Sequence, residues 1–426
     1  MKFLLIYLTL VNFLSANIQL IKKGNPDSNT TLLVIGGIHG NEPGGYNAAS
    51  ILASHYKIIS NSVWVVPNLN KASIMANKRG IHGDMNRKFA KIKKRDKDKK
   101  IVDGIKKIIL NKKVSLILNL HDGHGFYRKK NENNIYNPKA WGQTCVIDQC
   151  NLSTNNEFGK LNDIAQSVKD TVNKRLLKKH HNFNVKNTKT KHDNKAMQLS
   201  LTYFAVIHNK PAFAIETSKN LSSVSQKVFY QLLAIEGFMN KIHIKYKRDF
   251  KLNLNSISTI LKNYGTLRIN GNIFLNLSNI KKSLRFIPIK LRRNKFVFSN
   301  PLGMVKKVHR NFYIYIGSKR ITILKPQYFK ISESCFKKFN VKIDGRLSSV
   351  SASKDFYVNN SFEVLNNRKY RVNVIGFHSA KSKESGVMIK LKNLNPRYSV
   401  DKNGKVYRVE FYKNNKFCSM SMVHFK

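Results

Sequence analysis

Between residues 31 and 242 short apolar runs alternate with longer amphipathic segments, and that alternation leaves few architectures open. Thr31–Ile38, Ser62–Val66, Ser115–Leu120 and Ala212–Ile215 have the brevity and continuity of strands covered on both faces. Tyr46–Tyr56, Lys99–Leu110, Asp163–Leu177 and Val224–Ile242 supply helices between them. The last carries Val228, Leu232, Leu233, Ile235 and Phe238 near helical spacing. The pattern predicts an α/β domain with a mixed or mostly parallel sheet flanked by helices. The charge run at 91–100 reads as a solvated loop or helix start.

After about residue 246 helical periodicity fades. Short β-type runs such as Thr266–Asn270, Phe312–Ile316, Tyr370–Ile375, Val387–Leu391 and Val406–Tyr412 follow, separated by turn signals at Asn270-Gly271 and Asn403-Gly404. We expect two small all-β domains, at 246–333 and 334–426, with one larger sandwich as the alternative. A chain of 426 residues with 42% apolar content suits two or three such domains.

Lys2, the apolar run Phe3–Leu10 and the exit Leu14-Ser15-Ala16 match an export signal too short to span a membrane. Residues 1–16 are therefore expected to be removed, leaving an α/β domain over 17–245 in the periplasm, with no membrane span and no nucleic-acid role. The formal charge of +54 favours polyanions, including a carboxylate-rich cell wall. Much of it is lysine scattered among Asn and Ile, which genome composition alone produces, so the charge names no partner. Cys145 and Cys150 are spaced to close a small disulfide loop. Cys335 and Cys418 lie far apart without metal-type spacing, which excludes a cysteine zinc site.

Chemistry concentrates at strand exits. Gly36-Gly37-Ile38-His39-Gly40-Asn41-Glu42 follows an apolar strand, where open α/β sheets bind ligands. His39 and Glu42, three apart in a glycine-rich turn, can aim a nitrogen and a carboxylate at one ion. The run ending at Leu120 delivers His121 in the same way. His124 competes as third ligand, but it sits between two glycines, whereas His121 directly follows the strand. The strand from Pro211 ends at Glu216, a carboxylate placed to exchange protons with water and a leaving group. Arg79 and Arg87 flank a segment between the metal-binding elements, and arginine's planar fork reads a carboxylate bidentately.

The set H-x-x-E, then Asn86-Arg87, then strand-end His121 and strand-end Glu216 resembles the zinc carboxypeptidases of the carboxypeptidase A type, over roughly residues 30–242. Asp84–Phe89 (DMNRKF), Leu120–Tyr127 (LHDGHGFY) and Ala214–Ser218 (AIETS), with the export signal and β-rich tail, look closest to the peptidoglycan DL-carboxypeptidases that determine helical cell shape in Gram-negative bacteria. The resemblance implies one Zn2+ held by His39, Glu42 and His121, with Glu216 as catalytic base. It further implies a substrate carboxylate on Asn86 and Arg87, and Arg79 polarising the scissile carbonyl. Trp141, Thr202 and Tyr203 are candidates for the pocket lining. The implied reaction removes the terminal meso-diaminopimelate from peptidoglycan muropeptides, converting tripeptides to dipeptides. Two alternatives stand beside it. One is an N-acyl amino acid deacylase of the succinylglutamate desuccinylase type, which shares the metal motif. The other is a non-catalytic wall-binding scaffold.

Overall fold

The structure is a computed structural model that describes residues 18–152, 156–332, 335–378 and 384–426. The expected signal segment at 1–16 lies outside the described residues. The chain divides into two compact units, up to Leu261 and from Lys262 onward.

The first unit is built on β1 (Ile21–Gly24), β2 (Thr31–Ile35), β3 (Ser62–Val66), β4 (Val114–Gly123), β5 (Thr144–Ile147), β6 (Asn184–Asn187) and β7 (Ala212–Ser218). They form one sheet in the order β1-β3-β2-β4-β7-β5-β6. The central four run parallel, as continuous apolar runs buried on both faces must. Antiparallel pairing of β1 with β3 and of β5 with β7 makes the sheet mixed. β2, β4 and β7 are consecutive in space, so their carboxyl ends open at one place.

The flanking helices are α1 (Pro43–His55), α2 (Lys99–Ile109), α3 (Leu161–Asn173), α4 (Leu201–Ile207) and α5 (Val224–Lys241). Pro43 opens α1, where its missing N–H costs nothing. Ser200 and Ser223 cap α4 and α5 through hydroxyls that accept from Tyr203 N and Gln226 N. α1 and α3 both pack on α5, and Lys106 of α2 lies over the Phe204 ring of α4.

A further helix, α6 (Leu254–Lys262), follows, and the first compact unit runs to Leu261 where the sequence places a boundary at 245. The polar stretch after Lys245, where helical periodicity fades, is tied down. Tyr246–Arg248 pairs with Tyr56–Ile58, and Arg248 donates to Glu236 at 2.7 Å. Leu252 and Ile257 are buried in the core of the first unit.

The second unit is all-β. Its first part contains β8 (Thr266–Ile269), β9 (Ile273–Asn276), β10 (Ser283–Ile289), β11 (Phe296–Phe298), β12 (Gly303–Val308), β13 (Asn311–Ile316) and β14 (Lys319–Tyr328), in sheets β9-β8-β11 and β10-β14-β13-β12. The rest contains β15 (Lys338–Ile343), β16 (Arg346–Ser351), β17 (Phe356–Val358), β18 (Ser361–Val364), β19 (Arg371–Val374), β20 (Ile389–Lys390), β21 (Val406–Lys413) and β22 (Lys416–Phe425). Two four-stranded sheets, β16-β15-β18-β20 and β17-β22-β21-β19, enclose Phe339, Val341, Phe362, Val409, Phe411 and Val423. The expected strand Val387–Leu391 contracts to β20.

Cysteine pairing differs from expectation. Cys335 is bonded to Cys418, with Cα atoms 5.7 Å apart, while Cys145 and Cys150 are free. Cys145 lies on β5 within the core and Cys150 is exposed, so the two side chains occupy different environments.

Candidate metal centre and substrate cavity

Close backbone approach brings the strand ends together. A Cβ at Gly40 would fall 2.0 Å from the backbone of Ser73, and one at Gly44 would fall 2.3 Å from Asp122 Oδ1. Glycine at 40 lets the turn after β2 pack on the backbone at Ser73, and glycine at 44 lets the start of α1 lie against β4, which together bring His39 and Glu42 toward His121. Asp122 fastens the three segments: its carboxylate accepts from Gly44 N at 2.9 Å and from the Thr217 hydroxyl at 2.6 Å. Burial pushes its carboxyl up to about 6.

His39, Glu42 and His121 each offer a donor atom within 4.8 Å of the others, and all three are buried. His39 Nδ1 lies 3.0 Å from Glu42 Oε1, His121 Nδ1 lies 2.9 Å from Glu42 Oε2, and the two Nδ1 atoms are 3.2 Å apart. Ligands at tetrahedral angles on bonds of roughly 2.0–2.2 Å stand about 3.3–3.6 Å apart, so this triangle needs to open by only a few tenths of an ångström to hold one ion. His39 Nε2 faces Asp84 Oδ1 at 2.8 Å, which fixes that nitrogen as the protonated one and leaves Nδ1 as the donor. Burial opposes the charge of Asp84, but His39 and then Arg79 hold its carboxyl well below the usual range. Burial opposes the charge of Glu42 as well, and the two histidines hold it low.

Glu216 is register partner to His121 on the parallel strands β7 and β4, so both side chains stand on the same face. Its carboxyl is pushed up to about 7, chiefly by burial and further by Glu42 and Asp122, against the pull of His121 and Arg79. Gln231 of α5 donates to the carbonyl oxygens of His121 at 2.7 Å and Ile215 at 3.3 Å, which fixes both strand ends.

These groups open into a cavity of about 270 Å³ that reaches Arg79, Asn86, Arg87, Trp141, Thr202 and Lys219. Arg79 approaches from the rim, donating to Glu42 Oε1 at 3.1 Å and Asp84 Oδ2 at 2.9 Å. The Asn86 side-chain oxygen accepts from Leu201 N at 3.0 Å, which leaves its NH2 group for a ligand. Arg87 donates to the Asn86 carbonyl oxygen at 3.0 Å. Tyr203, expected beside Thr202, does not line the cavity. Consecutive residues on a helix point about 100° apart, so α4 can offer only one of the two. His124 lines the cavity without joining the ligand triangle.

Lys219, Met197, Val146 and Ala214 complete the lining and escaped the sequence reading. Ala214 was recoverable, since it lies two residues before Glu216 on the same strand face. Val146 was not, because only the antiparallel register sets it beside Ala214.

A family model described as the catalytic part of a carboxypeptidase controlling helical cell shape matches residues 1–262. The chain belongs to this family of cell-shape carboxypeptidases. A second model, for the C-terminal domain of metallo-carboxypeptidases, matches residues 332–426. The carboxypeptidase is 34% identical to the cell shape determinant Csd4 of Helicobacter pylori. In its apo form that structure gives a TM-score of 0.89, with 96% of this chain and 100% of that chain covered. A tripeptide-bound Csd4 structure matches with the same values. The mDAP-bound form, described as a D,L-carboxypeptidase, matches with a TM-score of 0.88 over 95% of this chain and 100% of that one. No curated protein sequence matches the chain. The enzyme is thus a metallocarboxypeptidase, with the expected carboxypeptidase-like fold and β-rich tail.

Proposed function

We propose that the enzyme is a zinc carboxypeptidase of the periplasm that removes the terminal meso-diaminopimelate from muramyl tripeptides, leaving dipeptides. The observation that carries this reading is the juxtaposition, in one cavity, of the His39–Glu42–His121 triangle, Glu216 and the Asn86-Arg87 pair. Two imidazole nitrogens and a carboxylate, without cysteine, form the donor set of a catalytic zinc site. The tripeptide and mDAP carried by the Csd4 structures support the substrate.

Bound by the triangle, the metal would supply Lewis acidity toward the scissile carbonyl and the attacking water. The rest falls to the chain. Arg87 and the Asn86 NH2 group hold the free α-carboxylate of the terminal residue and so fix which peptide bond meets Glu216. Glu216 takes a proton from the attacking water and returns it to the departing amine. Arg79, at the rim beside Glu42, steadies negative charge developing on the carbonyl oxygen. Trp141 and Thr202 wall the space for the side chain.

The periplasmic assignment is supported by the sequence of residues 1–16 and by the Cys335–Cys418 disulfide, a bond that persists in oxidising compartments. Fractionation of cells tests it, and a cytoplasmic pool of full-length protein contradicts it.

The mode of substrate recognition is tested with two muramyl tripeptides that differ only in the terminal group. We expect turnover of the free acid and a loss of at least about 100-fold for the terminal amide, which leaves Arg87 without its carboxylate. Equal rates would contradict recognition through Arg87. Cleavage of N-acyl amino acids in preference to both would favour the deacylase reading.

A further inference from the structure

The all-β unit contains a second cavity of about 270 Å³, whose lining includes Ser283, Arg285, Lys325, Arg397 and Arg408. Its chemistry is one-sided. Four of the lining residues are cations and none is an acid. Arg285, Lys325 and Arg397 are exposed, and none has a carboxylate within 4.0 Å among the described residues. Arg408 is only 3% exposed. It faces Glu410 Oε1 at 3.2 Å and donates to the carbonyl oxygen of Phe286 at 3.1 Å. Burying a guanidinium is costly, so it needs a built environment.

The backbone supplies that environment. β10 pairs with β14 through a register shift between Leu284 and Ile287, and Phe286 within the shift has φ +58. A non-glycine aromatic in the left-handed region is unfavourable, and such positions persist where the surrounding structure enforces them. Here the bulge carries the carbonyl that Arg408 binds and sets Arg285 beside the cavity. Ser283 Oγ, also on the lining, is buried without a hydrogen-bond partner among the described residues. A ring of cations, a buried arginine and a spare hydroxyl are together the donors for a compact oxyanion, and the planar fork of arginine suits a carboxylate.

We infer that this cavity is an anion-binding site for a carboxylate of peptidoglycan, separate from the catalytic centre, which holds the enzyme on polymeric wall. The inference rests on the wall-trimming reading for its ligand. The size of the cavity favours one carboxyl-bearing residue over an extended polyanion, which would need a groove.

The test uses the full-length enzyme and pelleting with purified insoluble sacculi, with chelator present to stop turnover. The rim variant K325E/R397E is compared with wild type and with K306E/K307E, which reverses two exposed lysines outside the cavity. Hydrolysis of soluble muramyl tripeptide is measured in parallel, without chelator. We expect K325E/R397E to lose sacculus binding at least tenfold while hydrolysing soluble tripeptide within twofold of wild type. K306E/K307E should bind like wild type. Retained binding by K325E/R397E overturns the inference, as does an equal loss in K306E/K307E, which would mean bulk charge alone. A further arm uses vesicles with anionic phospholipid. Selective loss of vesicle binding with sacculus binding intact overturns the assignment to wall carboxylates. Selective sacculus binding without tripeptide hydrolysis by any chain would sink the catalytic reading and leave the binding site standing.

Discussion

Glu216 combines two properties that single carboxylates at a surface lack: partial burial at the floor of a cavity, and a fixed neighbour in His121 across the parallel register. Replacing it by glutamine keeps the shape and removes the base. E216Q should lower kcat by about 10²–10⁴-fold with metal content unchanged, read by single-turnover hydrolysis and elemental analysis. Activity needs the ionised carboxylate, so kcat/KM should rise with pH through an acid limb. Burial places that carboxyl at about 7 in the metal-free chain. A dication beside it favours the charged form, so the limb should fall at or below that value. A limb above 7, or one unchanged in E216Q, contradicts the role. Asp84 sits one shell further out, where it holds the His39 tautomer. D84N should weaken metal affinity about 10–100-fold, measured by competition with a chelator. His39, Glu42, His121 and Glu216 were legible in the sequence because each stands at the end of an apolar run. The link from Asp84 to His39, and the Gln231 bonds beneath His121, were not, since they join residues far apart along the chain.

Among elements, α6 and the short ribbon before it show where local signals mislead. Residues 245–253 carry four cations and no helical periodicity, yet Arg248 docks on Glu236, and Ile257 is fully buried. A chain ending after Leu261 should melt cooperatively. One ending after Lys245 should lose at least about 3 kcal/mol, since it uncovers the sites filled by Leu252 and Ile257 and leaves Glu236 without its cation. Equal thermal midpoints for the two truncations would remove α6 from the first unit. At the same scale the mixed sheet was legible from its apolar runs, whereas β5 and β6 were not. Thr144–Ile147 is only four residues long, and Asn184–Asn187 carries asparagine at both ends. The choice of Thr202 over Tyr203 depends on the rotation of α4, which no pattern of seven residues defines.

Across the whole molecule, cysteine usage separates the two units: free thiols in the first and a disulfide in the second. The Cys335–Cys418 bond closes a loop with a sequence separation of 83, a span for which chain-entropy reasoning gives about 4.5 kcal/mol of stabilisation. Under denaturing, non-reducing conditions a thiol reagent should therefore count two free cysteines. Reductant should lower the unfolding midpoint of the all-β unit and leave that of the catalytic unit in place. Four reactive thiols without reductant would contradict the pairing. Distant cysteines give no hint of pairing in sequence, because the approach of β22 to the start of the C-terminal sandwich is a tertiary event. The charge of +54 has a similar reading. Its total says little, but its local arrangement marks the catalytic cavity with Arg79, Arg87 and Lys219 and the second cavity with Arg408 and its exposed neighbours.

His39, Glu42, His121 and Glu216 are expected together to remove one terminal residue from a peptide with a free carboxylate. Mass analysis of a muramyl tripeptide digest tests this most directly, with wild type, wild type plus chelator, chelated enzyme resupplied with zinc, and E216Q run side by side. We expect dipeptide and free diaminopimelate from wild type and from the zinc-resupplied enzyme, and intact tripeptide from the other two. Dipeptide formation that survives both chelation and E216Q, or no dipeptide from any sample, would contradict it.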